Sequence, residues 1–166
     1  FSPAQVVDFL NRLFSRFDDL VEKYGLEKIK TIGDAYMVAG GIPAPRSDHA
    51  HAVADMALEM EQMVAEISTP AGDPVSLRIG INTGPVIAGV IGSKKFSYDL
   101  WGDAVNTASR MESHGIPRSI QVSQEVYDRL KADFCFEERG AVDVKGKGAM
   151  TLYFLKSRRT PISAQA

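Results

Sequence analysis

A long helix signal at the start of the chain is followed directly by a hairpin signal, and this succession constrains the fold most. Ser2-Pro3 is typical of an N-cap with proline in the first helical turn. Apolar residues then recur at helical spacing as far as Gly25, which is typical of a helix end. Two strand-like segments, 28–32 and 35–39, flank the turn dipeptide Gly33-Asp34. The start of the chain therefore predicts a helix that precedes a β-hairpin.

The remaining sequence continues the alternation of helices and strands. Asp48 is predicted to cap a second helix that runs to about residue 67, and Ser123 to cap a helix that runs through residue 131. A further short helix is predicted over 104–112, and strands over 75–82, 86–91, 119–122 and within 134–154. This pattern favours an α+β fold, with helices packed on one mixed or antiparallel sheet. One domain is predicted over 1–156, followed by a tail over 157–166.

The composition excludes several classes of function. A chain of 166 residues with 45% apolar residues has the size and content of one globular domain. Its net charge of −2 argues against non-specific binding to nucleic acid or to an anionic membrane surface. Cys135 is the single cysteine, so an internal disulfide or a thiolate zinc site is excluded. The apolar run at 85–92 is far shorter than the roughly 20 residues that span a bilayer, which predicts a soluble chain.

The predicted hairpin carries polar side chains that have either a structural or a functional role. In a regular strand Lys28 and Lys30 share one face, opposite Ile29 and Thr31. On the pattern alone, a solvated edge with Asp34 in a Gly-Asp turn is the favoured interpretation. The alternative is that Asp34 is a metal-binding carboxylate at a rigid turn, since Mg²⁺ takes one or two carboxylates together with phosphate oxygens.

A second group of polar residues lies near the predicted helix at 104–112. Asp99 interrupts an aromatic and aliphatic stretch. It is either a local turn or cap residue or a hydrogen-bond acceptor in a ligand pocket. Asn106 and Arg110 are four residues apart and share a helix face, which is either solvated or able to bind a sugar and an oxyanion. The core-facing stripe of this helix is predicted to comprise Val105, Ala108 and Met111.

Basic residues occur in one strand and in one glycine-rich loop. Arg78 is predicted on the polar face of the strand at 75–82. Lys145 and Lys147 lie in a Lys-Gly-Lys-Gly loop whose amides and ammonium groups could reach phosphates, although this signal alone is weak. The three histidines have no spacing typical of a metal site or a catalytic triad.

Four segments together resemble the catalytic domain of the class III nucleotidyl cyclases, the adenylyl and guanylyl cyclase family. They are EKIKTIGDAYM at 27–37, LRIGINTGPVIAGVIG at 77–92, YDLWGDAVNTASRMES at 98–113 and VKGKG at 144–148. The third segment is the most specific, and the resemblance covers nearly all of residues 1–156.

The resemblance implies a ferredoxin-like α+β domain of βαββαβ type that works as a head-to-tail homodimer with nucleotide at the interface. It implies conversion of ATP to 3′,5′-cyclic AMP and pyrophosphate in intracellular signalling, with two Mg²⁺ or Mn²⁺ ions per site. A bacterial, homodimeric adenylyl cyclase is the form it resembles most. The expected location is the cytoplasm, either as a free protein or as the cytoplasmic domain of a membrane protein with regulatory or transmembrane domains.

The resemblance also assigns roles to the metal- and base-binding residues. Asp34 matches the second metal-binding aspartate of the family, and Arg78 matches its strand arginine near the phosphates. Lys30 and Asp99 match the pair that reads adenine in adenylyl cyclases, where guanylyl cyclases typically carry Glu and Cys. The two side chains therefore indicate ATP as the substrate.

The resemblance also assigns the residues that bind the ribose and the phosphates. Asn106 matches the residue that orients the ribose, and Arg110 matches the arginine that stabilises the transition state. Lys145 matches the lysine that binds the triphosphate, with Lys147 as the second choice.

The sequence departs from the family pattern at its start. The family places a strand with the first metal-binding aspartate upstream of the first helix, whereas this chain begins at that helix. We therefore expect residues 1–166 alone to be inactive or nearly so, and the intact protein to have the strand. The alternatives are a guanylyl cyclase, a non-catalytic domain that dimerises and binds nucleotide, and an RNA-binding module. The last lacks the basic excess typical of its class.

Overall fold

The computed structural model describes residues 2–92 and 97–159. These residues form helices and strands in alternation, which confirms the predicted α+β class. In chain order the elements are α1 (Pro3–Tyr24), β1 (Glu27–Ile32), β2 (Ala35–Ala39), α2 (His49–Val64), β3 (Arg78–Ile81), β4 (Ile87–Ile91), β5 (Ser97–Trp101), α3 (Asp103–Ser113), β6 (Ser119–Val122), α4 (Gln124–Leu130), β7 (Phe134–Val144) and β8 (Gly148–Arg158).

The described residues divide into two compact units. Unit one contains residues up to 77 together with those between 87 and 100, and unit two contains 78–86 together with residues from 101 onward. Within the described part of the chain, no helix combines the length and the apolar character needed to cross a membrane.

In unit one, helix α1 has the ends that the sequence predicts. The Ser2 hydroxyl accepts a hydrogen bond from the Gln5 amide, and the Gln5 side chain accepts one from the Ser2 amide, which forms a capping box. At the other end Gly25 has a φ of +65°, a left-handed conformation that glycine adopts without the penalty of a Cβ atom. The two caps therefore fix where α1 begins and ends, and with that which of its residues face the core.

The core of unit one lies between α1, α2 and the β1–β2 hairpin. One buried cluster centres on Leu20 and Met56, with Tyr36 and Val38 of β2 packed against it. A second cluster centres on Phe17, which is 2% exposed, and also contacts Tyr36. The hairpin is therefore held on the two helices by its inward-facing side chains.

Unit two is built on a four-stranded sheet with the order β3-β6-β8-β7. β3 and β6 are parallel, while β6–β8 and β8–β7 are antiparallel. Helix α3 packs on β3 at Gly80, where a Cβ atom would lie only 2.1 Å from the Glu112 backbone nitrogen. Glycine at this position therefore allows α3 to lie closer to the sheet than any side chain would permit.

Several predicted boundaries differ from the structure. β3 covers only the end of the predicted strand at 75–82, and α2 ends at Val64 rather than near residue 67. Asp48 and Ser123 occupy their predicted N-cap positions, but neither side chain makes a capping hydrogen bond. Asp48 instead accepts two hydrogen bonds from Arg46, and the Ser123 hydroxyl donates to Asn82 Oδ1 at 2.6 Å. Residues 157 and 158, predicted to belong to the tail, are part of β8.

Candidate active site

The β1–β2 hairpin separates two lysines that the sequence predicts to share a face. Lys28 lies opposite Val38 and Lys30 opposite Met37, so Ile29 is an extra residue in β1. Such a β-bulge interrupts the two-residue alternation of side chains. Because Val38 and Met37 are neighbours on β2, Lys28 and Lys30 lie on opposite faces of the hairpin, and the prediction of a shared face is wrong.

Lys30 forms an ion pair with Asp99, the two residues that the family resemblance assigns to the base. The Lys30 ammonium donates to Asp99 Oδ2 at 2.8 Å, and the Leu100 amide donates to Asp99 Oδ1 at 2.7 Å. The Asp99 side chain is 12% exposed and that of Lys30 is 42% exposed, so the pair lies at the surface with the carboxylate on its inner side. The Lys30 ammonium, followed by the Leu100 amide, holds the pKa of Asp99 below its usual range.

The opposite face of the hairpin is attached to α1 by three side chains whose contacts the sequence analysis did not predict. The Tyr36 hydroxyl donates to Asp18 Oδ1 at 2.5 Å, and the Lys28 ammonium lies 3.0 Å from the same oxygen. The Lys28 ammonium also lies 5.2 Å from the centre of the Tyr36 ring. Burial, followed by the hydrogen bond to Asp18, raises the pKa of the Tyr36 phenol and keeps it a donor. These three side chains therefore fix the hairpin that presents Lys30.

Asp34 lies in the exposed turn between β1 and β2, directly after Gly33 with its φ of +58°. Among the described residues no group of three or more acidic, histidine or cysteine side chains is arranged to hold a metal ion. Asp34 therefore offers one carboxylate and belongs to no such group in the described part of the chain. This donor set fits an ion such as Mg²⁺, which commonly takes one or two carboxylates and completes its coordination with water and phosphate oxygens.

In unit two, α3 carries the predicted ribose and phosphate residues on its outer face. Asn106 is exposed and Arg110 is half-buried, whereas Thr107 and Met111 are buried. The predicted core-facing stripe is correct for Met111, whereas Val105 and Ala108 are only half-buried. Thr107, which was not predicted to face the core, is buried. Asn106 and Arg110 therefore lie on the same side of the helix, away from its buried contacts.

Arg78 is fixed by a partner on α3. Its Nε donates to Glu112 Oε2 at 2.7 Å, and both side chains are more than a third exposed. The sequence reading placed Arg78 on the polar face of its strand but did not identify Glu112. This ion pair attaches the start of β3 to the last turn of α3.

The Lys-Gly-Lys-Gly loop joins β7 and β8 and distinguishes its two lysines. The Lys147 ammonium is paired with the carboxylate of Asp103 at the start of α3. Lys145 is exposed, and its backbone amide donates to His114 Nε2 at 3.3 Å. Within the ranges 2–92 and 97–159 no acidic partner is found for the Lys145 ammonium, so it remains available to an anion.

The candidate residues occur in both units. Unit one carries Lys30, Asp34 and Asp99. Of these, Lys30 and Asp99 are in direct contact. Unit two carries the other four, which are Arg78, Asn106, Arg110 and Lys145.

The comparison with protein families identifies the class of the chain. Residues 1–157 match the family described as the adenylate and guanylate cyclase catalytic domain, so the chain belongs to that family. The solved guanylate cyclase domain of RhGC from Catenaria anguillulae, in complex with GTP, superposes with a TM-score of 0.92 at 37% identity. That match covers 96% of this chain and 87% of the other, and it confirms the cyclase fold.

Two curated relatives bear different names. An adenylate cyclase of Mycobacterium bovis is 56% identical over 158 residues, which are 95% of this chain and 36% of that protein. The human guanylate cyclase soluble subunit beta-2 is 51% identical over 155 residues, which are 92% of this chain and 25% of that protein. The chain thus spans about a third or a quarter of the length of these relatives, and both kinds of cyclase are similar to it.

Proposed function

We propose that this domain is an adenylyl cyclase, which converts ATP to 3′,5′-cyclic AMP and pyrophosphate. The observation that carries the proposal is the contact between Lys30 and Asp99, 2.8 Å apart at the surface of unit one. Adenine presents an exocyclic amine, which donates, beside a ring nitrogen, which accepts. A carboxylate and an ammonium held side by side complement that pattern. Guanine presents a carbonyl oxygen and a ring N–H at the corresponding positions, so both side chains would face like partners.

Unit two carries the residues proposed for the ribose and the phosphates, on the outer face of α3 and in the loop at Lys145. The Asn106 amide is exposed and able to hydrogen-bond the ribose. The Arg110 guanidinium, which is always charged, stabilises the negative charge that develops on the phosphoryl oxygens. The Lys145 ammonium offsets charge on the triphosphate. In the reaction the ribose 3′-oxygen forms a bond to the α-phosphorus and its proton passes to water. The bond from that phosphorus to the β-phosphate oxygen breaks, and pyrophosphate leaves with the electron pair.

Asp34 is the residue of this chain that would hold a divalent metal ion. Mg²⁺ or Mn²⁺, two ions per site in the proposal, supplies charge neutralisation on the triphosphate and lowers the pKa of the attacking hydroxyl. The contribution of the chain is the exposed carboxylate at a turn of fixed geometry, four residues from Lys30.

The proposal includes a head-to-tail homodimer with the nucleotide at the interface. Three large apolar side chains of β4 are unusually exposed for a folded domain: Ile87 is 70% exposed, Val90 is 61% exposed and Ile91 is 50% exposed. Large apolar side chains that are exposed close together on one short strand favour an association site. In this arrangement one protomer supplies Asp34 and its partner supplies the pair that reads the base.

A guanylyl cyclase is the second candidate, because the human relative bears that name and the fungal structure contains GTP. A non-catalytic domain that binds nucleotide and dimerises is the third. The product distinguishes the three candidates. An adenylyl cyclase forms cyclic AMP, a guanylyl cyclase forms cyclic GMP, and a non-catalytic domain forms no product.

The test measures cyclic nucleotide formed from ATP and from GTP, with Mg²⁺ or Mn²⁺, by residues 1–166 and by the protein as its gene encodes it. We expect cyclic AMP from the latter. Lys30→Met is expected to lower kcat/KM for ATP by about 10- to 100-fold, since it removes a charged hydrogen-bond donor. Lys23→Met is the matched control, because it removes the ammonium of another ion pair, 2.7 Å from Glu59, between two helices that carry no candidate site residue.

Three results would contradict the proposal. Cyclic GMP as the main product would refute the assignment of Lys30 and Asp99 to adenine. Equal losses in Lys30→Met and Lys23→Met would show that the ion pair of Lys30 and Asp99 has no special role in substrate recognition. Nucleotide binding without any product would favour the non-catalytic domain.

A further inference from the structure

The C-terminal end of α3 is held by a polar group that no catalytic assignment uses. Gln121 of β6 is completely buried, and its Nε2 donates to the Met111 carbonyl oxygen at 2.9 Å. Its Oε1 accepts from Arg139 Nη1, which also donates to the His114 carbonyl oxygen at 2.7 Å. The two side chains, called here the α3 clamp, therefore bind two carbonyl groups at the end of the helix.

A β-bulge directs Arg139 toward this position. In the pairing of β7 with β8, Glu138 lies opposite Tyr153 and Gly140 opposite Leu152, so Arg139 has no partner in the ladder. Gly140 has a φ of +100°, which only glycine adopts without strain. Bulges re-aim a side chain in this way.

The α3 clamp acts on the turn that contains Arg110. The last carbonyls of a helix have no partner within it, and the helix end carries partial negative charge. The clamp supplies two donors and one positive charge there. The His114 amide donates to the Arg110 carbonyl at 2.9 Å, so His114 and Met111, whose carbonyls the clamp holds, lie in one turn with Arg110.

Arginine at a helix end also occurs elsewhere in the described residues. Arg46 donates to the carbonyls of Tyr24 and Gly25 after α1, and Arg159 donates to the Lys131 carbonyl after α4. Neither helix carries a candidate site residue. Arg159 is therefore a matched comparison for an effect on catalysis rather than on stability alone.

We propose that Gln121 and Arg139 are positioning residues, which fix the last turn of α3 so that the Arg110 guanidinium meets the transition state. This inference rests on the role proposed for Arg110. A displacement of about 1 Å in a group that stabilises the transition state lowers a rate by about 100-fold, so loosening this turn affects kcat more than substrate binding.

The test compares Arg139→Met, Gln121→Leu and Arg159→Met, each assayed for cyclic AMP in the protein as its gene encodes it. We expect the first two to lower kcat by about 10- to 100-fold with KM for ATP changed less than about threefold. Arg159→Met should leave both constants unchanged. Hydrogen exchange at the His114 amide should be about tenfold faster in Arg139→Met, and this readout is independent of activity.

A double-mutant cycle decides whether the effect passes through Arg110. In the Arg110→Ala background, Arg139→Met should cause little further loss of kcat. The same loss in both backgrounds, or an unchanged kcat in Arg139→Met, would overturn the positioning role. If Arg110→Ala itself turns over ATP normally, the role proposed for Arg110 fails, and the positioning role fails with it. An additive loss after a large effect of Arg110→Ala overturns the positioning role alone.

Discussion

Replacement of Gly80 by alanine tests the close approach of α3 to the sheet. The new Cβ atom would lie 2.1 Å from the Glu112 nitrogen, 2.6 Å from the Met111 carbonyl carbon and 2.7 Å from the Ala108 oxygen. Ordinary contact begins near 3.4 Å, so relief needs a movement of roughly 1.3 Å. All three atoms belong to the helix backbone, and no side-chain rotation can absorb that movement.

The expected losses follow from that displacement. Overpacking of this kind costs about 1–3 kcal/mol of the free energy of unfolding, and more where backbone must move, so we expect about 3 kcal/mol. Because α3 carries Asn106 and Arg110, turnover of ATP should fall by about 100-fold. Urea unfolding measures the first quantity, and cyclic AMP formation measures the second.

Gly72→Ala is the control for the Gly80 prediction. Gly72 has a φ of +88° but no atom within 4 Å of the position of a new Cβ atom. That variant carries only the strain of a left-handed residue, about 1–2 kcal/mol, and should keep its turnover. The reasoning fails if Gly80→Ala is no less stable than Gly72→Ala and equally active.

Two further predictions concern the hairpin and its ion pair. If sites are shared between protomers, a mixture of Lys30→Ala and Asp34→Ala chains should recover about a quarter of the normal activity, because half of the dimers are mixed and each has one complete site. A mixture that forms such dimers and stays inactive would refute shared sites. The lowered pKa of Asp99 means that the unfolded chain binds the proton more tightly. The stability from this group is therefore complete above the unfolded pKa of about 3.9 and is lost as the pH falls through the folded pKa. Lys30→Met removes the largest cause, so the Asp99 carboxyl should titrate at higher pH in a ¹³C NMR experiment, and an unchanged titration would contradict the assignment.

Local signals in the sequence predicted most of the secondary structure. The N-cap at Ser2, the left-handed Gly25 and the Gly33-Asp34 turn all depend on the conformational preferences of neighbouring residues, and the structure has each of them. The prediction was less accurate where packing decides the outcome. β3 is shorter than its apolar alternation indicates, and Thr107 is buried in place of a more apolar neighbour.

The β-bulges mark the limit of what alternation can predict. A period of two assigns every second residue to one face, so a single extra residue reverses the assignment beyond it. Ile29 separates Lys28 from Lys30 in this way, and Arg139 leaves the ladder of β7. The first bulge has no glycine or proline in its strand to indicate it. Gly140 lies within β7, and a glycine inside a strand is typical of a bulge. Together with a glutamine between apolar residues in β6, it was the visible sign of the α3 clamp.

Pairs that are distant in sequence were accessible only through the family resemblance. Lys30 and Asp99 are 69 residues apart, and no local pattern connects an exposed strand lysine with a buried carboxylate. Arg78 and Glu112, 34 residues apart, were not connected by any pattern or resemblance and became evident only in the structure.

The chain changes between its two units three times, after Leu77, Val86 and Leu100. Lys30 and Asp99 belong to one unit, yet the segment that contains β3 separates them along the gene. Any uninterrupted stretch of coding sequence that includes both residues therefore also encodes β3. Recombination that exchanged one continuous block could not replace unit one alone, and the residues proposed to recognise the base would be inherited together with part of the unit proposed to bind the phosphates.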